Sequence, residues 1–509
     1  MILVAPLSLL LSSPALAAAA PEAVETDTTW TAADSPYVVD VETRVASGAT
    51  LTLEPGVRIE LAEGANFIVE GALIAQGTEA EPIVWTGLDS ARWGSIFFMD
   101  SSVDAVFEDV DDYASGSILE HVDISLGSRA LQLDAASPYI HLSTFSDNLA
   151  TRDGIPFANI GAAAIYAGPG SNPRIRSSTF LANVADSPLQ GGAIFALQSS
   201  PIFQDNHFEA NESPYGAALT IENSFSPIVG NTFHANVSGW EGGAAAFVSA
   251  SPSFLNNQVT DNSALTDGGG VHVCVTCYPH ANPIMMDNVI TGNTNVSHGS
   301  AGVGAAFLRE FRYNDVHGNT QNGTPSDFAW HNEAGHSPDW VTYPNIAGNW
   351  WGTTDVDALA LTLLDGEDEE GLGLVDLFPV AESATAAPTL RVTVTTRKIE
   401  YGIPDEGMPL VLTLYNPGAA RAVDLVVMLQ LNEGPMVVWR GALEGGERLD
   451  ERVRMTLPEN SVQQIVPIEP PYAESDDLRC VSWVVAAFDA DTGERLGDVS
   501  TARSDMEAP

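Results

Sequence analysis

The sequence predicts an all-β chain in two parts, a solenoid of short strands over residues 37–379 and a β-sandwich over residues 389–505. Three observations carry this reading. A unit of about 26 residues recurs through the middle of the chain, glycine and proline punctuate it at fixed places, and after Pro379 the pattern changes to longer alternating strands.

From the N-terminus, Met1 to Ala17 is almost wholly apolar or small and closes on Ala15-Leu16-Ala17, the pattern of a signal peptide over residues 1–17 with a small-residue cleavage site. The run has no Lys or Arg ahead of it, and with Pro6 and Pro14 it barely reaches spanning length. Bacterial-type export to the medium or the cell surface is the expectation. No other stretch could cross a membrane as a helix.

The spacing Asn-x-apolar-x-x-Asn recurs at Asn206/Phe208/Asn211, Asn231/Phe233/Asn236, Asn257/Val259/Asn262, Asn288/Ile290/Asn293 and Asn314/Val316/Asn319. Ser143/Phe145/Asn148 and Ser178/Phe180/Asn183 are earlier copies. Between them lie Gly191-Gly192-Ala193-Ile194, Gly216-Ala217-Ala218-Leu219, Gly242-Gly243-Ala244-Ala245 and Gly268-Gly269-Gly270-Val271, and Pro138, Pro173, Pro201, Pro227, Pro252 and Pro283 mark strand starts. Glycines suit tight corners, and a proline at a strand start forfeits no ladder donor. Each unit therefore reads as one turn of a coil. Stacked at about 4.8 Å, the coils place Phe145, Phe180, Phe208 and Phe233 above one another and align the asparagines as an amide ladder.

This pairing of Phe-x-x-Asn with Gly-Gly-Ala-Ile over residues 138–320 resembles the repeats of polymorphic outer-membrane proteins and, more generally, of right-handed parallel β-helix proteins with the pectin-lyase-like fold. Ser47 to Val57, Gly71 to Thr78 and Pro82 to Thr86 resemble opening coils of that class, and Asn349-Trp350-Trp351-Gly352-Thr353 resembles its close. The resemblance implies a right-handed parallel β-helix of about a dozen coils. It implies little about activity, because the class includes lyases, hydrolases, epimerases and adhesins.

The acidic run Asp365-Gly366-Glu367-Asp368-Glu369-Glu370 reads as a solvated loop; it could also hold calcium, the one possible cofactor, although the spaced ligands of a known calcium loop are missing. Residues 380–388 are Ala/Ser/Thr-rich and read as a linker. Beyond it, Leu390 to Val394, Leu410 to Leu414 and Val423 to Val427 alternate between turn signals, which suggests an immunoglobulin-like sandwich.

Composition removes whole classes of chemistry. Twenty Lys+Arg against 67 Asp+Glu gives 20 − 67 = −47, which argues against nucleic acid or an anionic membrane as a partner. Lys398 is the only lysine, so the helical region offers no lysine base. Among enzymes of the resembled fold, the Asn-Thr-Asp and Gly-His-Gly signatures of polygalacturonase-like hydrolases have no counterpart here. Arg174-Ile175-Arg176 matches their Arg-Ile-Lys only superficially, because it precedes Gly335-His336-Ser337.

Four clusters remain. His272, Cys274, Cys277 and His280 are zinc-type ligands within nine residues, but one loop rarely closes a tetrahedron; a Cys274–Cys277 disulfide is the preferred reading, with free thiols and a metal site as the alternatives. Trp330, His331, Trp340 and Tyr343 form an aromatic insertion that either plugs the end of the solenoid or stacks on a ligand. Asp111 and Asp112 offer neighbouring carboxylates and His336 an imidazole, the weak catalytic candidates. The expected function is recognition or adhesion at an extracellular glycan or surface component, without cleavage. A polysaccharide-degrading enzyme with a non-standard site is the alternative, and a structural surface module the next.

Overall fold

A computed structural model of the chain describes residues 18–109, 112–151, 161–186, 191–274, 283–306, 308–331, 346–364, 379–384, 390–396, 410–431, 436–438, 443, 447–449, 452–465 and 480–505. Three long parallel sheets of 12, 13 and 11 strands run side by side, and a fourth of eight strands lies between the first two. We call them sheets A, B, C and D in that order. One coil passes through all four: Ile202–Gln204 in C, His207–Glu209 in A, Glu212–Tyr215 in D, Leu219–Glu222 in B, and back to Pro227–Val229 in C. The repeat read from the sequence is one coil of a parallel β-helix.

Alternation along each strand divides the residues between the inside and the outside. Phe208 is buried while His207 and Glu209 flank it on the surface. The phenylalanines stack as the repeat predicts, with ring centroids of 5.2 Å for Phe145–Phe180 and 4.8 Å for both Phe180–Phe208 and Phe208–Phe233. The interior is one continuous apolar column, so each coil is stabilised by burial against its neighbours.

The corners explain the asparagines. At the A–D corner, the Nδ2 of Asn148, Asn183, Asn211, Asn236, Asn262 and Asn293 each donates to the Oδ1 of the next at 2.9–3.0 Å. A second ladder at the C–A corner runs from Asn206 through Asn231, Asn257, Asn288 and Asn314 to Asn349 at 2.9–3.1 Å. Each turn needs a left-handed residue immediately before the asparagine, and Ala182, Ala210 and Ala235 supply it at φ 52–54°. That conformation costs a non-glycine residue about 1 kcal/mol. The buried amides, bonded on both sides, offset it.

The described residues between Arg391 and Asp505 form two antiparallel sheets around a shared core that includes Leu412, Leu425, Trp483 and Val485. They sit on the flank of sheet C. Val229, Leu255, Ile284 and Met286 meet Tyr415 and Val462 in one apolar cluster. Arg391 forks onto Asp287 at 2.6 and 2.8 Å, and Asn256 Nδ2 donates to the Tyr415 hydroxyl at 2.8 Å.

Candidate functional site

The outer face of sheet C changes character along the helix axis. Its upper coils present the aliphatic residues that the C-terminal unit covers, whereas its lower coils present polar ones. In register, Gln76, Glu120, His141, Arg176 and Gln204 form one outward row. Tyr139, Arg174 and Ile202 form the next. Parallel pairing of consecutive coils sets one side chain per coil at the strand spacing of about 4.8 Å.

Tyr139, Arg174, Ile202, Arg176 and Gln204 of these rows line a cleft, and Gln76, Glu120 and His141 continue the first row beyond it. On one side the antiparallel hairpin Val106–Asp109/Asp112–Ser115 packs down through Phe107 and Tyr113, whose rings lie 5.2 and 6.2 Å from that of Tyr139. Tyr139 in turn stacks on His141 at 5.2 Å with 12° between planes, and the Arg174 guanidinium lies 4.1 Å over the Phe107 ring. At the other end Val462 joins Arg174, Arg176 and Gln204 in the lining, and Gln204 Nε2 donates to the Asn460 carbonyl at 2.7 Å. The C-terminal unit therefore closes the cleft as well as covering the apolar coils.

Glu120 is the acidic group of the outward row. Its Oε1 lies 3.0 Å from His141 Nδ1, and its Oε2 accepts from Gln76 Nε2 at 3.1 Å. The His141 hydrogen bond, stronger than the opposing desolvation and helped by Gln76, holds the carboxyl below the usual carboxylate range. Ionised and tethered, it is an acceptor rather than a proton donor.

The sequence-predicted residues are dispersed. Asp112 is exposed on the hairpin that walls the cleft. Asp111, Cys277, His280, His336, Trp340 and Tyr343 lie outside the described residues. Trp330, read from the sequence as either plugging the end of the solenoid or stacking on a ligand, ends the strand Phe328–Trp330 and is 3% exposed, its ring packed into the solenoid core. His272 points outward as alternation requires but is buried, and it converges with His331 on the buried carboxylate of Asp267, at 3.2 and 3.0 Å. Cys274 is buried and disulfide-bonded. Among the described residues, no three His, Cys, Asp or Glu side chains are arranged to hold a metal ion. No helix among them is long and apolar enough to cross a membrane.

Sequence reasoning missed the cleft itself. Arg174 and Arg176 were visible as a motif, but Glu120 and His141 gain meaning only when coils of unequal length bring them to one row.

Residues 113–325 match the family model described as "Right handed beta helix region". No curated protein matches the chain. Among solved structures, the enzymatically active domain of tailspike protein 2 from bacteriophage CBA120 is similar at 9% identity, over 95% of this chain and 72% of that one, with a TM-score of 0.21. At that score the likeness carries no argument about this chain. The matched segment and the parallel coils together make the fold a right-handed parallel β-helix.

Proposed function

We propose that the protein is an exported recognition protein that holds a linear glycan along the sheet-C cleft without cleaving it, with residues 389–505 acting as an immunoglobulin-like sandwich that closes one end. The observation that carries this is the row Gln76, Glu120, His141 and Arg176, one polar side chain per coil. Its pitch of about 4.8 Å is close to the length of a pyranose unit, so successive sugars meet successive donors or acceptors. Arg174 and Arg176 concentrate positive charge in a chain of net charge −47, which makes the cleft the place where an acidic surface tolerates a sugar's oxygens. No turnover is expected in the cleft. Glycoside hydrolysis uses an acid with a raised pKa opposite a second carboxylate, and Glu120 is held low and bound to His141.

The test offers neutral and acidic polysaccharides to the purified protein, with and without calcium, and follows retention together with new reducing ends and unsaturated uronate. Retention weakened by Arg176→Ala, with no new ends, is expected. New ends that disappear in Glu120→Gln or Asp112→Asn would replace this reading with an enzymatic one.

A further inference from the structure

Sheet D, on a different face from the cleft, carries a stacked aromatic pair. Trp240 is 53% exposed in the strand Val237–Glu241, and its ring lies 6.2 Å from that of Tyr215 in the preceding coil, with 16° between the planes. The register slips between Ser213 and Tyr215, a bulge that re-aims the side chains around it. The backbone there is fixed: the Trp240 carbonyl accepts from both the N–H and the hydroxyl of Thr266, each at 2.8 Å.

The next residue, Glu241, is half-buried and ends a chain of charged groups that runs into the coil. Its Oε2 lies 3.2 Å from His272 Nε2, and His272 Nδ1 lies 3.2 Å from Asp267 Oδ2, with the His272 and Asp267 side chains only 4% and 9% exposed. Carboxylate oxygens only accept, so a ring facing one at each nitrogen carries both protons. Asp267 Oδ1 accepts the N–H groups of Gly268 and Ser300, both at 2.8 Å, and His331 Nε2 lies 3.0 Å from Oδ2. Glycine makes the space: a Cβ on Gly304 would come within 2.1 Å of both Asp267 carboxylate oxygens.

Burying an ion pair generally costs more than an apolar replacement would. Its product here is a half-buried glutamate held in an ion pair with His272, next to Trp240 in sequence and opposite Tyr215 in register. We propose that this corner is a second binding site, for an uncharged pyranose sugar, whose C–H face lies on the exposed Trp240 ring, backed by Tyr215, and whose hydroxyl donates to Glu241. Rigid rings give contact area at little entropic cost, and the preset carboxylate supplies orientation. Glu212 and Glu241 beside the platform disfavour an anionic sugar. His272 is a positioning residue that acts through Glu241. The site lies on a different sheet from the cleft and does not depend on the function proposed for it.

The experiment labels the full chain with 5-fluorotryptophan, assigns the Trp240 resonance by its loss in Trp240→Phe, and titrates neutral oligosaccharides of glucose, galactose and xylose. A saturable shift of the Trp240 signal is expected with at least one of them, weakened about tenfold in Glu241→Gln, the equivalent of one lost hydrogen bond to a charged group. His272→Gln should weaken it similarly in the wild type and add nothing in the Glu241→Gln background, whereas a merely structural role would add its loss to both. A Trp240 signal unmoved by every sugar overturns the proposal. Sugar binding with Trp240 unmoved would sink it and leave the cleft standing, and a Trp240 shift in a protein that retains no polysaccharide would do the reverse.

Discussion

Replacing Asp327 with asparagine should stabilise the protein at neutral pH and leave its stability unchanged in acid. Asp327 closes the A–D ladder: its Oδ1 accepts the Asn319 N–H at 3.0 Å and Nδ2 at 2.8 Å, the role that an asparagine plays at each ladder position from Asn183 to Asn319. The residue is 2% exposed, and burial pushes its carboxyl up to about 6 from the ordinary 3.8, against the hydrogen bonds from Asn319 and Thr362. A raised folded-state pKa means that the group's contribution is complete below the unfolded value and is lost as pH rises through the folded one. The window is therefore pH 4 to 6. At about 1.4 kcal/mol per pH unit, the difference amounts to a loss of about 3 kcal/mol by pH 7. Asparagine keeps the acceptor and sheds the charge, so Asp327→Asn should recover most of that loss at pH 7 and none at pH 4. Urea unfolding of both proteins at pH 4, 5.5 and 7 measures it. An equal gain at all three values, or a loss at pH 7, would show that the ionised carboxylate is stabilised by its surroundings and refute the reasoning.

Asn236→Ala removes four buried hydrogen bonds, two donated by its Nδ2 to Asn262 and Phe208 and two accepted from Asn211; a cost of about 3–5 kcal/mol is expected, and a thermal shift equivalent to less than 1 kcal/mol would deny the ladder its role. Arg391→Ala strands the buried Asp287 carboxylate at the junction, so the C-terminal unit should stay bound after proteolytic nicking near Ala384 in the wild type and come away in the variant, as gel filtration would record. Cys274 is expected to pair with Cys277 and leave Cys480 free; alkylation mapping without reductant decides it, and a labelled Cys277 contradicts it.

The parts of the fold written locally were legible. The repeat of phenylalanine and asparagine is a one-dimensional signal, because stacking coils turns sequence period directly into spatial neighbours. Asp327 escaped it because it follows Asn319 by eight residues, where a short return through Thr324–Pro325 replaces a full coil. For Trp330 the sequence left a plug and a ligand contact both open, and its alternation with Phe328 marks a core strand. The cleft was hidden for another reason: Gln76, Glu120, His141 and Arg176 are separated by 44, 21 and 35 residues, and only the pairing of unequal coils aligns them. The docking of the C-terminal unit was equally hidden, since nothing in the alternation of Leu410 to Asn416 says that Tyr415 will meet Val229, Leu255 and Met286.

The most direct test of the glycan-binding cleft is hydroxyl-radical footprinting of the protein with and without a retained polysaccharide. Tyr113 and His141, which border the cleft and are partly exposed, should lose reactivity on binding, while His207 and His234 on the outer face of sheet A should keep theirs. Protection of the sheet-A histidines with Tyr113 and His141 unchanged would place the glycan on another face and contradict the account.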